Sequence, residues 1–425
     1  MKHKIALRTT VLASVFLAGS AWATDGYFPH GYGMKAKGMG GVSIAMTDQA
    51  FAGANNPAVA SFAGNRAELG VDVFMPKRGA SRTVAMTGDV ESDTKSFLVP
   101  EFGYNTPIND KVAVGLSVYG NGGMNTDYAN TKTDCGMGAG PTSNLLCGPG
   151  RLGIDMMQLI VAPTVSYKVD ERHAVGVSPL LVYQRFKAEG LEAFGQMNMS
   201  SDPGRLTGNG YDSSTGIGVR LGYVGKPNDL ITFGASWSPK TKMKKFDKYA
   251  GLFAGGGGFD IPENYGVGLA LKVMPSVTLA ADYQRINYSK VPSIGNFSTN
   301  TPMDGQPPKL GSDSGSGFGW SDVNVIKLGV QWHASEQWTL RAGYNKTDNP
   351  IQSRDVTFNI IAPGVITKHY TLGGTYALGK DKELSFAYMH APQSVVTGGS
   401  MFGQAMTETI RMSQQSLGVQ YGWKF

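Results

Sequence analysis

The sequence has little charge, only two cysteines and no long apolar run after its N-terminus. Asp, Glu, Lys and Arg together make up 16% of its 425 residues. No stretch of about 18 apolar residues follows the N-terminal region, which excludes membrane-spanning helices. No cluster of Lys and Arg interleaved with aromatic residues suggests a face that binds nucleic acid. We therefore expect neither a helical membrane protein nor a nucleic-acid partner.

Catalytic motifs are missing as well. The chain has no G-x-S-x-G nucleophile elbow, no H-E-x-x-H zinc motif and no P-loop. The glycine run at 255–258 is not followed by Lys-Ser or Lys-Thr, so it does not predict phosphate binding. Beyond the N-terminal region the histidines are scattered, at positions 30, 173, 333, 369 and 390. We expect no enzyme activity, no cofactor and no metal site.

The N-terminus has the three parts of a signal peptide. Lys2, Lys4 and Arg8 form a positive region, residues 11–18 an apolar region, and Ala21-Trp22-Ala23 a cleavage site. The apolar region is too short to cross a bilayer, although an N-terminal membrane anchor is the alternative. We predict that residues 1–23 are cleaved on export, which lowers the net charge from +6 to about +3.

The C-terminus alternates between apolar and small or polar side chains. Its apolar members are Leu417, Val419, Tyr421, Trp423 and Phe425. Successive side chains of a strand point to opposite faces, so one face of this segment is wholly apolar. A soluble sheet edge could show the same pattern. In an exported chain, a terminal aromatic residue on the apolar face is typical of the closing strand of an outer-membrane barrel.

The same alternation recurs upstream and predicts about fourteen strands between residues 66 and 425. Each is long enough to cross the hydrocarbon core as a tilted strand. The predicted ranges are 66–78, 95–107, 110–122, 155–169, 171–188, 212–226, 229–241, 259–273, 276–290, 322–334, 337–349, 366–380, 382–392 and 412–425.

Short and long connections alternate between these strands. The short ones lie near 107–110, 169–171, 226–229, 273–276, 333–337 and 379–382. The long ones lie near 79–94, 123–154, 189–211, 242–258, 291–321, 350–365 and 393–411. Short turns on one side and long loops on the other are the asymmetry of bacterial outer-membrane barrels. The sequence therefore predicts an all-β fold: a transmembrane antiparallel β-barrel of about 14 strands in the outer membrane.

Residues 24–65 precede the first predicted strand and belong to no strand themselves. They are rich in glycine and contain the turn signal Asn55-Asn56-Pro57-Ala58. A disordered tail is the alternative. The Met and Ala content favours a compact element that packs inside the barrel, so we predict a plug at 24–65 and a barrel at 66–425.

Cys135 and Cys147 are the only cysteines and lie in one Gly- and Asn-rich stretch. In an oxidising compartment we expect them to pair and close this loop, which contributes roughly 3 kcal/mol in the chain-entropy model. A metal site built on two cysteines is the alternative, but further ligands are missing nearby.

The phrase Gly38-Met39-Gly40-Gly41, followed by Ala45, Asp48, Ala50 and Asn56-Pro57-Ala58, resembles the N-terminal hatch of the FadL/TodX family. Members of this family are outer-membrane transporters of long-chain fatty acids and aromatic hydrocarbons. The resemblance extends to the hatch length, the strand number, the loop lengths and the terminal Phe425. The hatch begins with Thr24-Asp25-Gly26-Tyr27-Phe28-Pro29-His30, which departs from the fatty acid transporters and leaves the substrate open.

The resemblance implies a mechanism for small hydrophobic molecules. A ligand is caught between extracellular loops, enters a lumen pocket and leaves sideways into the membrane at a kinked third strand. The hatch, which we define as residues 24–65, blocks the direct path and rearranges to release the ligand. Its gate residues would be Gly40, Gly41, Asn56, Pro57 and Ala58.

Local sequence features fit these steps. Gly120, Gly122 and Gly123 in the third strand favour a bulge or bend, although an ordinary strand end is the alternative. Two long loops carry apolar residues at helical spacing, which are candidates for ligand capture: Leu191, Phe194, Met197, Phe246, Tyr249 and Phe253.

Several cations could bind a substrate carboxylate. Lys245 stands among Lys242, Lys244 and Lys248 in a long loop, and this group could also bind lipopolysaccharide phosphates or be merely solvated. Arg220, Lys327 and Arg341 have lumen parity, and for each of them we favour a structural ion pair with residues such as Asp282.

The expected partners follow from this fold. They are a hydrophobic small molecule, outer-membrane lipid and lipopolysaccharide, and the barrel assembly machinery, which would recognise the strand that ends in Phe425. A monomer is favoured because sideways release needs a wall exposed to lipid. A general porin for polar solutes and an outer-membrane enzyme or adhesin barrel are the alternative functions.

Overall fold

The structure is a computed structural model that describes residues 25–83, 89–129, 133, 135 and 143–425. Within these residues, fourteen long strands form one sheet, and we label them β1–β14 in chain order. A two-residue strand at Val90–Glu91 pairs with β1 and is left unlabelled. The strands are β1 Arg66–Arg82, β2 Phe97–Pro107, β3 Val112–Tyr128, β4 Leu152–Lys168, β5 His173–Glu189, β6 Asp212–Asn228, β7 Ile231–Ser238, β8 Asn264–Met274, β9 Val277–Ile286, β10 Val323–His333, β11 Trp338–Thr347, β12 Lys368–Ala377, β13 Lys382–Ser400 and β14 Gly403–Lys424.

The sheet closes on itself. Each strand pairs antiparallel with the next one along the chain, and β14 pairs back with β1 from Arg66↔Lys424 to Arg82↔Glu408. An open sheet edge would expose backbone N–H and C=O groups to lipid, which cannot form hydrogen bonds with them. Closure pairs these groups with a neighbouring strand. The predicted fourteen-stranded antiparallel barrel is confirmed.

Side chains alternate between the two faces of the wall. In β13, Leu384, Phe386 and Tyr388 are 37%, 40% and 39% exposed, whereas Ser385 and Ala387 between them are 1% and 4% exposed. The outer face is therefore apolar, and the inner face is small or polar and covered by other parts of the chain. This is the arrangement that a barrel needs when lipid surrounds it.

The helices are short and lie outside the wall strands. No helix among the described residues is long and apolar enough to cross a membrane. The α-helical turns are Met34–Lys37, Glu192–Gln196, Ala254–Gly257, Pro292–Gly295 and Val356–Asn359. The 3₁₀ turns are Pro57–Ser61, Pro203–Arg205, Asp247–Tyr249, Tyr288–Lys290 and Ser353–Asp355.

The prediction of a long connection at 393–411 is wrong. β13 continues to Ser400 and β14 starts at Gly403, so the two strands form a long hairpin that extends beyond the wall. Its upper ladder runs from Ser394↔Met412 to Gly399↔Thr407. β-Branched residues such as Val395, Val396 and Thr409 favour strand structure here. Because this part of the hairpin lacks an apolar face, the alternation of apolar and polar residues does not reveal it in the sequence.

The hatch lies against the inner face of the wall. Its backbone or side chains hydrogen-bond to β14 through Gln420, to β12 through Thr371, to β9 through Asp282 and to β2 through Asn105. Most hatch residues from 25 to 60 are buried. The segment therefore fills the lumen as a second layer inside the wall.

Candidate functional site

Asn56 attaches the hatch to β6. Its side-chain oxygen accepts from the Ala58 N–H at the start of the 3₁₀ turn Pro57–Ser61. Its amide nitrogen donates to the carbonyl oxygens of Ile44 and, in β6, of Tyr223, at 2.8 and 3.0 Å. Pro57 suits the first position of this turn because its missing N–H would have no partner there. The Asn-Pro-Ala motif thus closes a hatch loop and holds it to the wall.

Gly40 and Gly41 lie where the hatch chain turns back on itself. Their φ angles are +69° and +87°, a region that residues with a β-carbon rarely adopt. A β-carbon on Gly41 would also collide with the carbonyl group of His30, and one on Gly40 would lie 2.8 Å from the Tyr344 backbone nitrogen. Both glycines let the hatch backbone touch β11 and itself.

Two buried lysines anchor the short helix Met34–Lys37. Lys35 pairs with Glu68 of β1 at 3.0 Å and with Glu383 of β13 at 2.5 Å. Lys37 lies 3.0 Å from Asp72 of β1 and 3.3 Å from Glu101 of β2. Burial disfavours the charged form of Lys37, but the two carboxylates outweigh it and raise the pKa of this lysine above its ordinary value.

The arginines proposed as carboxylate partners are held by the hatch and the wall. Arg220 donates to the carbonyl oxygens of Gly53 and Ala54. Arg341 donates to Gln331 and Thr375 and lies 3.5 Å from Asp48 of the hatch. Asp282, which we expected to pair with such cations, instead accepts from the Ser43 and Ile44 N–H groups at 2.7 and 3.0 Å.

Lys327 and Lys245 differ from these arginines. Lys327 is buried, and its ammonium forms no ion pair with a carboxylate among the residues that the structure describes. It lines a lumen cavity of about 30 Å³ together with Arg220, Tyr32 and Asn55. Lys245 lies exposed in the loop between β7 and β8. Of the four candidates, Lys327 and Arg220 line this cavity together.

The glycines of the third strand lie at a true irregularity. The β3–β4 register shifts between Gly120 and Gly122, so Asn121 is an extra, bulged residue. β3 continues to Tyr128, which rules out an ordinary strand end at this point. Gly122 has φ +150°, and a β-carbon there would collide with the Tyr27 carbonyl group. The bulge therefore brings the wall against the first described residues of the hatch.

A hydrogen-bond chain joins the hatch to this bulge. The Tyr32 hydroxyl donates to the Asn121 side-chain oxygen at 3.0 Å, and the Asn121 amide donates to Gln158 of β4 at 3.0 Å. The Tyr32 and Tyr119 rings pack edge to face with centroids 4.6 Å apart. A movement of this part of the hatch would change the surroundings of Asn121.

The seam between β2 and β3 is paired only in its lower part. The ladder runs from Pro107↔Ala113 to Phe102↔Val118 and stops there, although both strands continue. Pro100 lies just beyond its end and has no N–H to donate to a ladder. Higher up, the Asp93 N–H donates to the Asp127 carbonyl oxygen at 2.8 Å. The unpaired stretch between these points is a weak place in the wall.

A cleft of about 410 Å³ opens at this seam. Its lining includes Phe97, Thr126 and Ile154, which have inward parity, and also Leu98 and Asp155, which have outward parity. The cleft therefore borders both faces of the sheet at this seam, and its outward-parity lining is largely charged, with Arg185, Lys187 and Glu189 of β5.

The predicted capture residues come together above the lumen. Leu191, Phe194 and Phe253 line one apolar pocket between the extracellular loops. Phe246 and Tyr249 are fully buried beside it, and Met197 packs against the same cluster. No charged side chain is among the described residues that line this pocket. Ile154 lines both this pocket and the cleft at the seam.

Phe186 at the upper end of β5 was not predicted, although it is the centre of the cluster. Its ring centroid lies 4.8 Å from that of Tyr249 and 4.7 Å from that of Phe253. From Phe253 the aromatic contacts continue through Phe259 to Tyr27 of the hatch, over 5.0 and 6.2 Å. Phe186 is the one aromatic residue in the inward-facing row of β5, and this was the available signal.

Cys135 and Cys147 form a disulfide in the loop between β3 and β4. Arg82 at the end of β1 approaches both sulfur atoms at 3.7 and 3.9 Å and pairs with Glu408 of β14. Arg82 thereby ties this loop to the barrel rim.

Comparisons with known proteins agree with this architecture. The sequence profile of the family described as outer membrane protein transport protein (OMPP1/FadL/TodX) matches residues 15–425. The long-chain fatty acid transport protein of Escherichia coli K12 is 23% identical over 344 residues, which cover 71% of this chain and 72% of that protein. Its counterpart from Salmonella typhi is 21% identical over 428 residues and covers 91% and 92%.

Solved structures share the fold. The Pseudomonas putida toluene transporter TodX has a TM-score of 0.68 at 21% identity and covers 93% of this chain and 99% of its own. A Pseudomonas aeruginosa FadL homologue has a TM-score of 0.69 at 16% identity and covers 94% and 100%. At these identities the likeness concerns the architecture and leaves the substrate open.

Proposed function

Since the chain belongs to the OMPP1/FadL/TodX family of outer membrane transport proteins, we propose that it takes up small hydrophobic molecules and releases them sideways into the membrane. The protein is an integral outer-membrane barrel. Relatives are named for long-chain fatty acids and for toluene, so fatty acids or aromatic hydrocarbons are the proposed substrates. The single observation that carries sideways release is the unpaired β2–β3 seam, whose cleft shares Ile154 with the apolar pocket.

Capture is the first step. The apolar pocket between the extracellular loops, which we call the loop pocket, is lined by phenylalanine, leucine and isoleucine side chains. It favours the binding of any ligand whose apolar surface is thereby removed from water. The pocket has a volume of about 40 Å³, so a long chain enters it only if the loops part. Each buried methylene contributes about 0.8 kcal/mol, so a fully buried chain of about fifteen would yield a gross ~12 kcal/mol before binding costs. A ligand held this strongly leaves slowly unless the pocket changes shape. Transport therefore needs a second site and a moving part.

Release is the second step. Ile154 lines both the loop pocket and the cleft at the seam, and the bulge at Asn121 lies in β3 just beyond the last β2–β3 pair, Phe102↔Val118. Tyr27 and Tyr32 of the hatch contact this bulge. We infer that their displacement opens the path, because they cover its inner side. The hatch thus acts as the gate, and lipid receives the ligand.

Lys327 gives the proposal a place for a charged head group. Its ammonium and the Arg220 guanidinium border the lumen cavity next to the hatch. A cavity of about 30 Å³ holds roughly one or two water molecules, so it admits a carboxylate only if the hatch moves. A carboxylate bound there would draw a fatty acid from the loop pocket into the lumen. A neutral aromatic ligand would not need this site, so a Lys327→Met variant separates the two substrate classes: oleate uptake falls while toluene uptake continues.

Deleting Asn121 tests sideways release. The deletion removes the bulge, restores the β3–β4 register and lets the upper seam approach a regular ladder. We expect uptake of radiolabelled oleate and toluene to fall at least tenfold in cells that lack other transporters of this family. Heat-dependent migration in gels checks that the barrel still folds.

Asn121→Ala is the matched control, because it keeps the extra residue and loses only the side chain. It should retain most uptake. If the deletion variant is folded and transports both substrates at the wild-type rate, the wall is not the exit. Passage of polar sugars through the intact protein would instead support a general porin.

A further inference from the structure

Three wall strands share a pattern at their extracellular ends. On the outer face, a tyrosine is followed two residues further from the membrane centre by a cation. The pairs are Tyr283 with Arg285 on β9, Tyr344 with Lys346 on β11, and Tyr370 with Lys368 on β12. Residues two apart share a face, so each cation stands directly beyond its tyrosine.

This spacing sets the level of the cations. Tyrosine on the outer face of a barrel marks the boundary between hydrocarbon and head groups. Each cation lies two residues along the strand from its tyrosine, a distance of about 7 Å, and the strand tilt shortens the corresponding rise along the membrane normal. This places the cations at the head groups of the outer leaflet. These ends face outward from the cell, because the short turns lie at the opposite ends of the same strands.

Lys346 and Lys368 are directly opposite each other in the β11–β12 ladder. Both are exposed, and neither forms an ion pair with a carboxylate in the part of the chain that the structure describes. By contrast, Arg285 pairs with Asp322 at 2.9 Å. Like charges directly opposite in a ladder destabilise it unless an anion lies between them. The pair therefore fits an external anion.

The wall next to Lys346, on the side away from Lys368, carries an apolar depression. It has a volume of about 510 Å³ and reaches across β8 to β11, with Tyr344 at its upper rim. Small outward residues, Ala281 and Ala342, form its floor between larger leucines. An acyl chain would fill it better than a flat wall would, because the contact area is larger.

We propose that Lys346 and Lys368 bind a phosphate group of an outer-leaflet glycolipid, the lipid A part of lipopolysaccharide, whose acyl chain occupies the depression next to Lys346. The cation pair supplies the charge and the depression supplies the hydrocarbon contact. Tyr344, whose ring centroid lies 5.3 Å from that of Tyr370, lies between the two. This site is separate from the lysine group at 242–248 and from the transport path, which leaves the barrel at β2–β3.

Binding of purified bisphosphorylated lipid A to the full-length detergent-solubilised protein tests the proposal. The loss of one lysine next to an anionic lipid head group weakens binding about fivefold. We expect Lys346→Gln/Lys368→Gln to weaken lipid A binding by roughly 25-fold. Ala342→Trp, which fills the depression without changing the charge, should also weaken it. Lipid A without phosphates should bind poorly to the wild type.

Lys272→Gln/Lys382→Gln is the matched control, since both lysines are exposed at the periplasmic ends of β8 and β13. It should bind lipid A like the wild type. Equal binding by the Lys346/Lys368 variant and the wild type would overturn the proposal, as would an equal loss in the control. Displacement of lipid A by millimolar inorganic phosphate would also overturn it, because the site would then recognise free phosphate.

Discussion

Glycines on the inner face of the wall allow the hatch to pack there. A β-carbon on Gly343 of β11 would collide with the backbone of Met39 and Gly40, and one on Gly222 of β6 would collide with Asn56. Comparable collisions with the hatch would arise on other strands, at Gly103, Gly176, Gly234 and Gly268. The absence of side chains at these positions lets backbone approach backbone. These wall glycines therefore serve the contact between wall and hatch.

Gly343→Ala tests this packing. The added methyl group has no room, because the atoms in its way belong to the hatch backbone rather than to a flexible side chain. Overpacking of this kind typically costs about 1–3 kcal/mol. We expect a lower thermal unfolding midpoint and faster proteolysis of the hatch. Both can be followed on the purified protein by circular dichroism and trypsin digestion.

Gly399→Ala on β13 is the control for this substitution. Nothing lies within 4 Å of a β-carbon there, and Gly399 also belongs to a strand. Its unfolding midpoint should stay at the wild-type value. Equal stability of the two variants would show that the hatch yields easily and does not press on β11.

At the scale of elements, strand alternation made most of the wall predictable. The segments ending in Phe425 and in His333 have one apolar and one polar face, and both are strands. The upper part of the β13–β14 hairpin was missed because it lies beyond the membrane, where neither face needs to be apolar. The family resemblance implied an opening at the third strand, but its place between β2 and β3 depends on pairing between strands, which is not visible in one segment alone.

The candidate site was predictable only in part, for a related reason. Phe194 and Phe253 could be singled out by helical spacing within a loop, and they do share a pocket. Phe186 joins the same pocket from a wall strand, and the sequence shows only its inward parity, not this contact. Arg220 and Arg341 have the expected parity, but their partners are hatch groups far away in the sequence. Long-range partners depend on the fold, so the sequence left their roles open.

The short helix Met34–Lys37 is the element whose charge matters most. Lys37 is buried between Asp72 and Glu101, so its removal would leave two buried carboxylates without a shared cation. Breaking a buried ion pair on one side costs about 3–5 kcal/mol. We expect Lys37→Met to loosen the hatch and to increase trypsin cleavage after Lys35, while the barrel itself stays folded.

A triple variant distinguishes charge from packing. Lys37→Met/Asp72→Asn/Glu101→Gln removes the two unpaired charges and should restore most of the protection from trypsin, because neutral groups cost less to bury. If protection stays low in the triple variant, the lysine stabilises the hatch through its packing and not through its ion pairs.

At the scale of the whole molecule, the strength of the contact between hatch and wall limits how the gate can move. Backbone N–H groups of six hatch residues donate to wall side chains: Gly33, Met34, Gly40, Ser43, Ile44 and Ala50. At about 1–3 kcal/mol each, together they contribute on the order of 10 kcal/mol. A ligand with a micromolar Kd releases only about 8 kcal/mol. Binding energy of that size cannot expel the whole hatch, but it can displace the few residues near Tyr27.

A disulfide between hatch and wall distinguishes expulsion of the whole hatch from displacement of the few residues near Tyr27. The Ser61 and Ser166 hydroxyls are 2.6 Å apart, so Ser61→Cys/Ser166→Cys can form a disulfide that fixes the hatch to β4. We expect uptake of oleate and toluene to continue in the oxidised state, because the residues at the bulge remain free to move. Thr164→Cys/Ser178→Cys joins β4 to β5 within the wall, where the hydroxyls are 2.7 Å apart, and serves as the control. If oxidation stops uptake only in the Ser61/Ser166 variant and a reductant restores it, then the hatch leaves the barrel as one body.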